Sequence, residues 1–74
     1  MNTAINVLAG KRVGAKITKK ELAELLNISS QAYSKKESGV NPFKDYEMLK
    51  VYEYIKPYYT DLTIDYLFFW NKTD

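Results

Sequence analysis

Apolar residues along this chain recur three and four positions apart, the period of helices packed by one face. Ile5 and Leu8, with Val13, form a first stripe, and Lys11 falls on its wet side. Thr3 or Asn2 is placed to cap that helix, which is expected to run to about Gly14. Gly10 within it costs about 1 kcal/mol relative to Ala, which predicts close packing against a neighbour. Ala15 to Ile17 form a connection, with Ile17 a buried plug. Thr18-Lys19-Lys20-Glu21 has the form of a capping box: the Thr18 hydroxyl accepts a backbone N–H three residues on, and Glu21 reaches back. Leu22, Leu25 and Leu26, with Ala23 beside them, give the second stripe. Asn27 suits the left-handed backbone that ends a helix. Ile28 plugs the corner, and Ser29 caps a third helix in which Ala32 and Tyr33 face inward. Two short helices joined by so tight a turn, over residues 18–37, describe a helix-turn-helix.

Ser38-Gly39 is expected to end the third helix, Gly39 supplying a positive φ. Residues 40–42 form a loop because Pro42 disfavours helix at Asn41, and Phe43 folds back onto the core. A fourth helix runs from Lys44 or Asp45 to about Ile55, facing inward with Met48, Val51 and Ile55, helped by Leu49 or Tyr52. Pro57 stops it, leaving Tyr58 and Tyr59 in a loop. Thr63 caps a short fifth helix, Ile64 to about Phe69, with Asp65 near its positive end. Trp70 and a polar tail over residues 71–74 close the chain. Residues 66–70 are rich in β-favouring side chains, but no partner strand is evident. The expectation is a single all-α domain of five helices over residues 1–74.

Composition changes this picture mainly by exclusion. With neither Cys nor His there is no disulfide framework, thiolate site or Cys/His metal cluster. The core must come from apolar packing, which 46% hydrophobic residues and eleven aromatics can supply. No apolar run is long enough to span a membrane, and the N-terminus lacks a signal-peptide design, so an intracellular soluble protein is expected. Without a His base, a Cys nucleophile or a Gly-rich phosphate loop, no enzyme activity, cofactor or small-molecule substrate is expected. Asp61 and Asp65 sit in cap-like contexts, and Ser29, Ser30 and Ser34 lack a basic partner. Tyr46, Tyr52, Tyr54, Tyr58 and Tyr59 lie in or just after a helix that needs core material, which argues against a base-stacking platform. The net charge of +2 is unevenly spread: residues 1–20 carry Lys11, Arg12, Lys16, Lys19 and Lys20 and no acid. One basic face on a near-neutral chain is how phosphate-binding modules begin.

The helix-turn-helix supplies a use for that face. Outward Gln pairs with adenine and Lys with guanine in the major groove. Ser30, Gln31 and Lys35 lie near the start and on one exposed side of the third helix, with Ser34 and Lys36 flanking them. Lys19 and Lys20, in the first turn of the preceding helix, are placed to approach phosphate. Thr18, Glu21-Leu22-Ala23, the Asn27-Ile28-Ser29 turn, Tyr33-Ser34-Lys35, Glu37 and Gly39, together with the closing LTIDYLFF, resemble the Cro/CI-type (XRE-like) helix-turn-helix family of phage repressors and Cro proteins. The resemblance spans residues 8–69. It implies a five-helix, lambda-repressor-like DNA-binding domain with residues 30–37 in the major groove. Ser30, Gln31, Ser34 and Lys35 are then the base contacts, and Lys19, Lys20, Lys36 and Ser29 the phosphate contacts. It also implies that Arg12, late in the first helix, pairs with Glu37. Three residues depart from the family: Asn27 replaces the commoner Gly, Lys36 stands where many relatives bury Leu or Ile, and Lys19 replaces a phosphate-binding Gln.

The partner implied is double-stranded operator DNA in a bacterial cytoplasm, bound by a Cro-like phage or prophage repressor, commonly as a homodimer. With no separate oligomerisation domain expected in 74 residues, a dimer would form through this domain. Phe68, Phe69 and Trp70 with Tyr58 or Tyr59 are the expected seam. The alternative is a protein-binding antirepressor of the same fold that docks on a partner repressor.

Overall fold

The computed structural model describes residues 6–69, which contain five α-helices and no strand. They are α1 (Val7–Gly14), α2 (Lys19–Leu26), α3 (Ser30–Glu37), α4 (Asp45–Ile55) and α5 (Ile64–Phe69), with a 3-10 turn (Lys56–Tyr58) closing α4. Thr3, Asn2 and Ile5 lie outside the described residues. Asn6 caps α1 instead, its side chain accepting the Ala9 N–H at 2.9 Å. The other caps arise where short polar side chains meet the first turn. Thr18 and Glu21 form the full reciprocal box on α2, Ser29 accepts from the Ala32 N–H, and Thr63 accepts from the Tyr66 N–H. On α4 the box is half made. The Lys44 N–H donates to Glu47 at 2.8 Å, but Lys44 has no acceptor to return.

Three helices stop by one device. Lys16 (φ 61), Asn27 (φ 60) and Gly39 (φ +93) turn left-handed, and the next residue's N–H bonds a carbonyl five positions back. These bonds are Ile17 to Arg12, Ile28 to Ala23 and Val40 to Lys35, at 2.9–3.0 Å. Only the last uses glycine. Gly14 serves another purpose: a Cβ there would sit 2.5 Å from the Tyr59 hydroxyl, so the small residue admits the ring onto α1. Gly10, expected to be the site of close packing, has nothing within 4 Å of such a Cβ.

The core gathers Val7, Leu8, Ile17, Leu22, Ala23, Leu26, Tyr33, Val51, Ile55, Leu62 and Leu67 from every helix. α2 packs on α3 and α4, and α5 closes against α1 and α4. Phe43 does fold back, meeting Tyr33 and Phe68 edge-on at centroid distances of 6.0 and 5.1 Å. Val13, expected on the inward stripe of α1, is 62% exposed, and the buried residues of that helix are Val7, Leu8 and Arg12. Along α4 Val51 and Ile55 are fully buried and Tyr52 helps them, whereas Leu49 faces out. Pro57 tightens the end of α4 rather than cutting it, which puts Tyr58 in the 3-10 turn instead of a loop. Ala32 is only half-buried. None of the described helices is long and apolar enough to cross a membrane.

Candidate nucleic-acid interface

α3 is polar almost throughout and buries fully only Tyr33, so side-chain bonds as well as apolar packing must fix its orientation. They do so at its C-terminal end. Arg12 reaches Glu37 with Nε to Oε2 at 2.7 Å and Nη2 to Oε1 at 3.3 Å, and its Nη1 donates to the Ile17 carbonyl at 2.9 Å. The Tyr33 hydroxyl donates to the same Glu37 Oε2 at 2.9 Å, and Asn6 Nδ2 donates to the Glu37 backbone carbonyl at 2.9 Å. The two charged side chains are 11% and 6% exposed. Burial, and then the adjacent Glu37 carboxylate, push the Tyr33 phenol well above its usual range, so it stays a donor.

A second anchor was not legible in the sequence. Lys36 Nζ lies 3.0 Å from Glu47 Oε1 and donates to the Pro42 carbonyl at 3.0 Å, with the Lys36 and Glu47 side chains 14% and 3% exposed. Burial alone would raise the Glu47 carboxyl, but the Lys44 N–H and the Lys36 ammonium outweigh it and hold it below the usual carboxylate range. Lys36 is therefore paired with α4, and a contact with phosphate would require that pair to open. Ser29 accepts the Ala32 N–H as a cap, and its exposed hydroxyl keeps a proton to donate.

The opposite side of α3 is open. Ser30, Gln31 and Lys35 are exposed and Ser34 is half-buried. At 3.6 residues per turn the four span an arc of about 140°. Lys19, projecting from the first turn of α2, donates to Ser34 Oγ at 3.2 Å, so an ammonium lies against this polar strip. Lys20 beside it is exposed. Further along α2, Glu21 accepts from the Tyr54 hydroxyl of α4 at 2.8 Å. The Thr18 N–H, and then that bond, lower the Glu21 carboxyl, and the same bond raises the Tyr54 phenol.

Comparison with models of protein families, with curated proteins and with solved structures finds no match. Of the described residues expected to form a C-terminal seam, two pack against the protein and two are exposed. Phe68 packs inward on Phe43, and the half-buried Tyr59 donates to the Lys11 carbonyl at 2.8 Å. Tyr58 and Phe69 are exposed, and Trp70 lies outside the described residues. Among the described residues no group of three or more acidic side chains is placed to hold a metal ion. Glu47 and Tyr54 are the residues that sequence reasoning missed. The only local signal was the position of Glu47 three residues after the start of α4, where a capping carboxylate belongs.

Proposed function

We propose that this chain is a sequence-specific double-stranded DNA-binding regulator of Cro-like type, with α2 and α3 acting as its helix-turn-helix. The observation that carries this reading is the division of α3 into two sides. One is anchored by Tyr33, Lys36 and Glu37, and the other presents Ser30, Gln31, Ser34 and Lys35 with Lys19 alongside. A helix held rigidly by its inner side and bearing amide, hydroxyl and ammonium groups on its outer side suits readout in the major groove. Gln31 and Lys35 are the base readers, and Ser30 and Ser34 assist them. Lys19 and Lys20 neutralise phosphate, Lys19 exchanging its exposed bond to Ser34 for the DNA backbone.

The test is fluorescence anisotropy on promoter fragments from the encoding genome, repeated over a salt series. Gln31→Ala should cost about 1–3 kcal/mol on the preferred fragment and little on scrambled DNA. Lys20→Ala should weaken both alike and reduce the salt slope by about 1. Wild type that binds no fragment at low salt, but forms a stoichiometric complex with a repressor, would establish the antirepressor alternative.

A further inference from the structure

We propose that the outward face of α4 is the contact surface for a second copy of this chain. α4 carries two stripes. Glu47, Val51 and Ile55 are buried against the rest of the protein. On the other side Tyr46, Leu49, Lys50 and Glu53 follow the i, i+3, i+4, i+7 spacing by which one helix packs on another. Nothing covers this second stripe among the described residues: Tyr46 is 54% and Leu49 49% exposed. Lys50 and Glu53 are exposed too, and neither forms an ion pair with a described side chain.

The charges select the occupant. Lys50 and Glu53 lie three residues apart on one face, so reversing the helix about a two-fold axis sets Lys50 of each copy beside Glu53 of the other. An isologous interface makes that pairing twice. Antiparallel helices also oppose their dipoles favourably, and Tyr46 and Leu49 supply the apolar area. α5 also exposes apolar side chains, Tyr66 and Phe69, but its one formal charge is Asp65. Reversing α5 would set acid against acid. A single helix face lies at the small end of the interface scale, which fits a weak, reversible dimer. This inference does not depend on DNA binding and is tested without DNA.

The experiment is sedimentation equilibrium of the full chain up to about 1 mM, a limit set by the weak affinities that small interfaces give. Wild type should self-associate. Lys50→Glu and Glu53→Lys should each weaken association about tenfold, because two attractions become two repulsions. A mixture of the two variants should associate like wild type, since each supplies the charges the other lacks, and the double variant should do so alone. Circular dichroism checks that these exposed substitutions leave the fold unchanged. A wild type that stays monomeric, or single variants that associate as wild type does, would overturn the proposal.

Discussion

Glu37 accepts from Arg12 and from the Tyr33 hydroxyl at once, and its backbone carbonyl takes Asn6. Removing the carboxylate leaves a buried guanidinium and a buried phenol short of their partner. Glu37→Ala should therefore cost about 3–5 kcal/mol, comparable with the whole stability of a domain this size. A thermal melt superimposable on wild type would contradict it. The Glu47 carboxyl is held below the usual range by the Lys44 N–H and the Lys36 ammonium. A depressed carboxyl stabilises the fold above its unfolded pKa of about 4.3, and that contribution fades as pH falls through the folded value. Urea titrations should show Glu47→Gln less stable than wild type at pH 7. The gap should narrow below about pH 4 as the wild-type carboxyl protonates. A gap independent of pH would mean that the charge of Glu47 contributes nothing.

Among the elements, the contact between α1 and the segment after α4 rests on one small residue. Gly14→Ala drives a methyl into the Tyr59 hydroxyl, which is itself tied to the Lys11 carbonyl. The substitution should lower stability by about 1–3 kcal/mol despite the better helix propensity of Ala. Tyr59→Phe alone should cost about 0.5–1.5 kcal/mol for its hydrogen bond. The double variant should be more stable than the sum of the two predicts, since the ring carbon that bears the hydroxyl is 3.8 Å away. Simple additivity in denaturant melts would place the clash elsewhere. Features legible from the sequence were those with local causes: the Thr18–Glu21 box, the Ser29 and Thr63 caps, and the left-handed Asn27 and Gly39. Each depends on residues within one turn. Nothing local marks Lys16 as left-handed, since lysine has no special tolerance of positive φ, and the nearby Gly14, where α1 ends, serves close approach instead.

For the molecule as a whole, five helices could be counted in advance, but their faces were less predictable. Leu49 and Val51 lie two positions apart on α4, and both suit a core. Only the position of the neighbouring helices decides that Val51 is buried and Leu49 is not. The polar strip on α3 was legible for the complementary reason, since nothing in Ser30, Gln31 or Lys35 asks to be buried. The ammonium of Lys36 deceived because a lysine shows its charge in the sequence but not its partner, eleven residues away on α4. The Tyr59 hydroxyl on the Lys11 carbonyl joins positions 48 apart, and α5 packs on α1 beside it. This sets an order of assembly. α2 and α3, adjacent in sequence, can meet early, whereas the α1–α5 closure must wait for a long loop to be drawn in. Because Asn6 and Arg12 also hold Glu37 of α3, late closure of α1 is expected to complete the orientation of α3 as well, and native-state hydrogen exchange should show α3 opening together with α1.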